Sequence, residues 1–288
     1  MRLFTSLLSI RTSLMPSFTV KMFSSSSMLS STVIKSEESS EPLIKQELYF
    51  DGKVARLVCF YFIYFKFTFL KVLNCPKRRN ALSLNLMENL RKELKELDNN
   101  MKIRAIIIAS EGNVFSAGHD LNELTAESGP SNHKRVFSKC IELMETIQHL
   151  SLPVIGISFI LELRIKIGLF CNTPGIALAR NLPRKVAMDM LLTAREITAK
   201  EALNAGLISR IVDDGKAKEE VLQISEEICK YSRHICDLGK SFFYTQIEQN
   251  INTANRQGAT IMCKNLKLPD AKEGISAFLE KRKPQWVE

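Results

Sequence analysis

Apolar residues return every three or four positions between residues 84 and 97, which predicts a helix with one buried face. Ser83 stands where its hydroxyl can cap the first turn, and Asn99 follows the last apolar position. The predicted apolar face consists of Leu86, Met87, Leu90, Leu94 and Leu97.

A nearly continuous apolar run, IRAIIIA, follows at residues 103–109. Such a run is typical of a strand that is buried on both faces of a sheet. Residues 154–157, after Pro153, and residues 207–212 look like two further strands. A helical pattern over residues 134–150 separates the first two runs. The alternation of buried strands and helices predicts an α/β domain.

Two helix starts carry a capping-box pattern, in which a capping side chain is followed three residues later by a glutamate. One would pair Asp120 with Glu123, and the other would pair Thr198 with Glu201. Gly206 is placed to end the second helix in a left-handed conformation.

Two segments break this order. Residues 58–71 (VCFYFIYFKFTFLK) are dense in aromatic side chains and resemble an insert. Lys66 interrupts the run, which is too short for a comfortable membrane span. As a surface strand it would favour aggregation. Residues 158–166 (SFILELRIK) carry no cap or turn signal.

The first 36 residues differ from the rest in composition. They hold four basic residues and many serines, and no acidic residue precedes Glu37. A basic, serine-rich leader without acids is typical of a mitochondrial presequence, and a disordered tail is the alternative interpretation. We therefore predict a presequence and linker over residues 1–44 and a mitochondrial location, in the matrix.

Composition narrows the class of function. The net charge of +9 comes from 40 basic and 31 acidic residues in a chain of 288, and part of the excess lies in the leader. No basic stripe with interleaved aromatics is present, so a nucleic-acid partner is not expected. Seven cysteines without a CxxC pair and four histidines without HExxH predict free thiols and no metal site.

Four sequence blocks carry a stronger signal together than any one alone. Their sequences and order resemble the enoyl-CoA hydratase/isomerase, or crotonase, family over most of residues 72–288. The resemblance implies an α/β fold: a crotonase-like (ββα superhelical) core over residues 45–212, then a C-terminal helical region over residues 213–288. The blocks are residues 74–82 (NCPKRRNAL), 115–124 (FSAGHDLNEL), 168–206 and 272–283 (KEGISAFLEKRK).

The resemblance implies that residues 115–124 bind the thioester carbonyl of an acyl-coenzyme A. Chemistry in this family passes through an enolate, whose oxygen is stabilised by two backbone N–H donors. By resemblance, the first donor is the backbone N–H of His119, and Ala117, Gly118 and Asp120 lie beside the adenine and pantetheine arm. Coenzyme A is then part of the substrate, and no separate cofactor is expected.

Three basic residues, Lys77, Arg78 and Arg79, precede the Asn-Ala-Leu motif of the family. A basic loop here is suited to the phosphates of coenzyme A, and a solvated charge run is the alternative. The block at residues 272–283 resembles the last helix of the family, which closes over the acyl pocket and contacts a neighbouring subunit. Phe278 is a candidate for lining that pocket, with core packing as the alternative.

The resemblance also shows what the chain lacks. The second donor of the family comes from a Gly-rich turn after the strand that starts at Pro153, and no such turn follows here. The family pattern resumes at Gly168, so about two dozen residues, the length of a turn, a helix and a strand, are absent near residues 158–167. Arg164 stands where a hydratase carboxylate is expected, and it can serve neither as base nor as acid. Glu162 is a poor substitute.

Two interpretations follow. The first is an acyl-CoA-binding, crotonase-type protein of fatty acid metabolism, with weak or no hydratase activity because the core is incomplete. The second is a non-catalytic scaffold subunit that joins other crotonase-type chains through its C-terminal helices. The resemblance further implies a homo-oligomer, as a trimer or hexamer, and no membrane span is expected.

Overall fold

The structure is a computed structural model that describes residues 7–9, 60–65, 68–112, 114–158 and 165–287. Five strands and nine α-helices lie within these ranges. The strands are β1 (Leu7–Ser9), β2 (Phe60–Phe65), β3 (Thr68–Leu73), β4 (Ala105–Ser110) and β5 (Val154–Ser158). The helices are α1 (Leu84–Asp98), α2 (Gly129–His149), α3 (Asn172–Asn181), α4 (Arg184–Thr193), α5 (Ala199–Asn204), α6 (Ala217–Cys229), α7 (Arg233–Gln246), α8 (Ile251–Asn265) and α9 (Pro269–Leu279).

The five strands form one sheet in the order β1-β5-β4-β3-β2. Strands β3, β4, β5 and β1 pair in parallel, whereas β2 pairs antiparallel with β3 at one edge. Helix α1 connects β3 to β4 and helix α2 connects β4 to β5, because parallel neighbours need a crossover. The predicted alternation of strands and helices is confirmed for this part of the chain.

Helices α1 and α2 cover one face of the sheet. Ser83 caps α1 as predicted, since its Oγ accepts a hydrogen bond of 3.3 Å from the backbone N–H of Leu86. Helix α2 begins five residues before the predicted start at residue 134. The core between these helices and the sheet includes Met87, Leu90, Leu94, Ile106, Ile108, Val136, Cys140 and Leu143.

Helix α6 covers the opposite face of the sheet. Its Ala217 and Val221 pack in one buried cluster with Ile107 of β4 and Leu70 of β3. Alternate residues of a strand point to opposite faces, so the apolar run in β4 needs cover on both sides. The boundary drawn at residue 212 therefore separates α6 from the sheet that it completes, and α6 belongs to the core.

The aromatic segment at residues 58–71 is not an interruption of the sheet. Residues 60–65 pair with residues 68–73 in an antiparallel register, from Phe60 opposite Leu73 to Phe65 opposite Thr68. Aromatic and β-branched residues fit a pleated surface, which explains why this segment forms strands. The segment thus supplies β2 and most of β3.

The prediction of a strand at residues 207–212 is wrong, because this segment has no strand pairing beyond a single isolated bridge at Arg210. Ile208 is buried and Val212 packs against the α6 cluster, so the apolar pattern reflects burial without a strand ladder. The second capping box is confirmed between Thr198 and Glu201. Gly206 follows α5 with a φ of 80°, as predicted for a left-handed end.

Helix α7 is joined to the ends of α1 and α2 by the buried Arg233 and the half-buried Lys240. The Nζ atom of Lys240 lies 3.3, 2.5 and 2.9 Å from the carbonyl oxygens of Ile147, Leu150 and Leu152. Arg233 donates to the carbonyl oxygens at the end of α1. Cations stabilise the carboxyl ends of helices, where carbonyl oxygens lack partners within the helix. Of the helices in the described ranges, none is long and apolar enough to cross a membrane.

We expect Lys240→Met to lower the free energy of unfolding by about 1–3 kcal/mol, since buried carbonyls lose their donor. Burial lowers the pKa of Lys240 from 10.5 to about 8. Between these values the unfolded chain binds more protons than the folded chain, so the contribution of Lys240 to stability rises with pH. Denaturant titrations from pH 7 to pH 10 therefore show a growing difference between wild type and variant.

Lys92→Met is the matched control, because the Lys92 side chain is 75% exposed. It removes an exposed ion pair and changes stability little at any pH. A difference between wild type and Lys240→Met that stays constant or shrinks with rising pH contradicts the prediction.

The edge of the sheet at β5 gives a second prediction. Leu7, Leu8 and Ser9 pair with Gly156, Ile157 and Ser158, so β1 covers that edge. Removal of residues 1–9 exposes the backbone of β5, and we expect a lower melting temperature and faster aggregation. Removal of residues 1–5 spares the strand and serves as control. Equal melting temperatures for the two truncated chains would show that β1 does not stabilise the sheet.

Candidate acyl-CoA site

The loop that follows β4 lies against a turn that follows β3. The turn contains a short 3₁₀ segment, Pro76–Arg78, and then Arg79 and Asn80, which both have a left-handed backbone with φ of 51° and 50°. Gly118 in the facing loop also has a positive φ, 77°, a conformation that residues with a Cβ rarely adopt. The backbone conformation at position 118 therefore favours glycine, which explains the small residue predicted there.

Backbone hydrogen bonds join the two segments around His119. The N–H of Leu82 donates to the carbonyl oxygen of Gly118 at 2.8 Å, and the N–H of Asp120 donates to the carbonyl oxygen of Leu82 at 3.2 Å. Gly118 and Asp120 both bond to Leu82, which makes a parallel bridge. In such a bridge the residue between them, His119, directs its own N–H and C=O to the side opposite Leu82. The N–H of His119 is thus directed away from the turn.

The side chains of this loop are fixed by local packing. Ala117 is buried, and its N–H donates to the carbonyl oxygen of Arg79 at 2.8 Å. The His119 ring packs edge-on against Phe137 of α2, with 5.1 Å between ring centroids and an interplanar angle of 63°. The ring therefore anchors the loop to α2, which leaves the backbone of His119 as the feature that fits the predicted role.

The capping box predicted for Asp120 and Glu123 does not form. The Asp120 carboxylate does cap a short 3₁₀ turn, Leu121–Glu123, through the N–H of Asn122. The Glu123 carboxylate instead accepts from the N–H of Leu84 at 2.8 Å, in the first turn of α1. Glu123 faces α1 because the tertiary fold brings the start of that helix beside it, which the local spacing could not show.

The three basic residues of the turn are in different environments. Lys77 and Arg79 have exposed side chains. The Arg78 guanidinium forms an ion pair with the buried Asp120 carboxylate, and the Arg78 side chain is 35% exposed. The run is therefore not uniformly solvated, and Arg78 ties the turn to the loop. Binding of coenzyme A phosphates by Lys77, Arg78 and Arg79 stays a prediction.

Phe278, near the end of α9, is 82% exposed. Core packing, the alternative interpretation for this residue, is therefore wrong. Ile275 and Leu279 on the same helix are also exposed, so the end of α9 presents an apolar edge. Lining of the acyl pocket by Phe278 stays a prediction.

The connection after β5 is too short for the turn, helix and strand of the family pattern. Strand β5 ends at Ser158, and the next described element is a 3₁₀ turn, Ile165–Ile167, followed by Gly168. Six residues, 159–164, separate the two elements, whereas a turn, a helix and a strand need about 20 residues. Arg164 and Glu162 lie outside the described residues. Among the residues that the structure describes, no group of three His, Cys, Asp or Glu residues could hold a metal ion.

Comparison with known proteins gives the class of protein. A family profile described as Enoyl-CoA hydratase/isomerase matches residues 70–158 and residues 158–288. The chain belongs to this family. The two matched pieces meet at Ser158, where β5 ends and where the family pattern breaks in the sequence.

The chain is also similar to individual proteins of this family. It is 40% identical over 239 residues to enoyl-CoA hydratase domain-containing protein 3, mitochondrial, of Danio rerio, covering 75% of this chain and 83% of that protein. The Homo sapiens protein of the same name is 41% identical over 239 residues, covering 75% of this chain and 79% of that protein.

Solved structures agree with this assignment. The crystal structure of human enoyl Coenzyme A hydratase domain-containing protein 3 has a TM-score of 0.75 and 37% identity, covering 79% of this chain and 99% of that chain. An enoyl-CoA hydratase from Mycobacterium smegmatis has a TM-score of 0.73 and 33% identity, covering 85% of this chain and 99% of that chain. The predicted crotonase-like fold with a helical C-terminal region is confirmed.

The different environments of Lys77 and Arg78 give a prediction. Arg78→Met leaves the buried Asp120 carboxylate without its cation, so we expect the free energy of unfolding to fall by about 1 kcal/mol. Lys77→Met, at an exposed position, keeps stability and weakens binding of coenzyme A, more at low salt than at high salt. Thermal melting and calorimetry measure the two effects. Unchanged stability with weakened coenzyme A binding in Arg78→Met would assign Arg78 to the phosphates instead.

Proposed function

We propose that this protein binds an acyl-CoA thioester at residues 115–124 and has weak or no enoyl-CoA hydratase activity. The observation that carries the proposal is the direction of the His119 N–H, which the bridge to Leu82 turns away from the turn. Membership of the enoyl-CoA hydratase/isomerase family supports a thioester carbonyl as the acceptor. Coenzyme A enters as part of the substrate, and the proposal includes no separate cofactor.

Weak activity follows from the short connection after β5. Loss of one of two oxyanion donors slows comparable reactions roughly 10²–10³-fold. Hydration also needs a carboxylate that activates water, and Arg164 stands at one of the expected positions. In this proposal the His119 N–H supports binding of the carbonyl, and the shortened connection and the arginine at position 164 account for weak hydration.

The setting that we propose is mitochondrial fatty acid metabolism, in the matrix. Relatives from Danio rerio and Homo sapiens are named mitochondrial proteins. The basic, serine-rich leader supports import of this chain into mitochondria. No membrane span or nucleic-acid partner is part of this proposal.

A scaffold role is the second candidate, and the apolar edge of α9 favours it. Ile275, Phe278 and Leu279 are 48%, 82% and 73% exposed, and exposed apolar clusters mark sites of association. In this role the chain assembles with itself, as a trimer or hexamer, or with other crotonase-type chains. Sedimentation of the purified chain, alone and mixed with a crotonase-type hydratase, distinguishes the two assemblies.

Calorimetry with butyryl-CoA and an assay of crotonyl-CoA hydration test the proposed function. We expect micromolar binding and a turnover far below that of an ordinary hydratase. A turnover equal to that of an ordinary hydratase contradicts the weak activity. Absence of binding contradicts the acyl-CoA site, and co-assembly in that case favours the scaffold.

His119→Pro sharpens this test, because proline has no backbone N–H. We expect it to lose affinity for butyryl-CoA while it keeps affinity for coenzyme A without an acyl group. His119→Ala removes the ring and keeps the N–H. If both variants lose the same affinity, the ring and not the N–H makes the contact.

A further inference from the structure

Asn80 occupies an unfavourable position in the turn that faces the site. Arg79 and Asn80 are consecutive residues in the left-handed region, where a Cβ is strained. Such conformations persist where surrounding contacts hold them, and they concentrate at functional sites. Asparagine tolerates the region better than most residues, because its amide can bond to nearby backbone.

The Asn80 side chain is fully buried and every amide proton has an acceptor. Its Oδ1 accepts from the N–H of Cys75 at 2.8 Å. Its Nδ2 donates to the carbonyl oxygens of Glu111 and Val114, both at 2.9 Å. One side chain thus joins the start of the turn to the segment that connects β4 to the His119 loop.

The backbone of Asn80 reaches the same loop. Its carbonyl oxygen accepts from the Ser116 Oγ at 2.8 Å, and that Oγ accepts from the N–H of Gly118 at 3.2 Å. Residues of the turn therefore bond to most of the residues that flank His119 between positions 114 and 120. The contacted residues are Val114, Ser116, Ala117, Gly118 and Asp120.

We infer that Asn80 is a positioning residue, which fixes the direction of the His119 backbone N–H toward the thioester carbonyl. The inference rests on the proposed function. Only asparagine combines the left-handed backbone with one acceptor and two donors at this place. Aspartate would turn an anion toward two carbonyl oxygens, and glycine would keep the backbone without the side-chain bonds.

The test compares Asn80→Gly and Asn80→Asp with Asn89→Asp, whose side chain lies on the exposed surface of α1. Butyryl-CoA has the thioester carbonyl, and S-butyl-CoA, a thioether, lacks it. We expect the wild type and Asn89→Asp to prefer the thioester roughly tenfold, the effect of one hydrogen bond. We expect the Asn80 variants to lose this preference and to bind the thioether as the wild type does.

Infrared spectroscopy of bound ¹³C-labelled butyryl-CoA gives a second readout that a merely structural role would not move. Hydrogen bonding lowers the carbonyl stretching frequency in the wild type, and we expect the frequency to return toward its value in water in the Asn80 variants. Should these variants fail to bind the thioether, Ser116→Ala decides, since it removes only the two hydrogen bonds of the hydroxyl, to the Asn80 carbonyl oxygen and from the Gly118 N–H. Loss of thioester preference in Ser116→Ala supports the inference.

Different outcomes would overturn the positioning role of Asn80 and the proposed thioester site. A wild type that prefers the thioester, with Asn80 variants that bind the thioether and keep that preference, overturns the positioning role alone. Retained preference in Ser116→Ala, where the Asn80 variants bind nothing, also overturns it. A wild type that binds neither ligand, or both equally, overturns the proposed thioester site itself.

Discussion

The parallel pairing of β3 with β4 is the constraint on which the site depends. Leu73 and Ser110 are paired at the ends of these strands, so both chains leave the sheet at the same edge. The N–H of Glu111 donates to the carbonyl oxygen of Leu73 at 2.8 Å and extends this pairing by one step. The turn and the His119 loop therefore start side by side, and each satisfies the polar backbone of the other. Ligands of parallel sheets meet this edge for the same reason.

Charge and backbone act together in holding the two segments. The Asp120 carboxylate is buried, and burial of an anion is unfavourable without a partner. The Arg78 guanidinium supplies that partner from the turn. A basic residue that the family pattern associates with phosphate thus has an internal role. Cations also have an internal role at the carboxyl ends of α1 and α2, where Arg233 and Lys240 donate to backbone carbonyl oxygens and hold α7.

At the β5 edge of the sheet, strand β1 of the leader lies beside the point where the family pattern breaks. Strand β5 ends at Ser158, where the two family matches meet, and β1 pairs with that strand on its outer side. An exposed parallel edge is a site for association with other chains, so a covering strand stabilises the monomer. A presequence is removed after import, and β1 lies within the proposed presequence. Under that proposal, β1 covers β5 only until the leader is removed.

The sequence determined the elements whose signals are local. The Ser83 cap, the Thr198 capping box and the buried run of β4 depend on residues a few positions apart, and all three are present. The family blocks determined the fold and placed the loop at residues 115–124. Contacts between distant residues were decided only by the tertiary structure. Glu123 bonds to α1 and Asn80 to the His119 loop because parallel pairing brings residues 30 to 40 positions apart into contact. No local period records such a contact, so sequence patterns predicted the loop at residues 115–124 and the basic block at residues 74–82 but missed the contacts that join them.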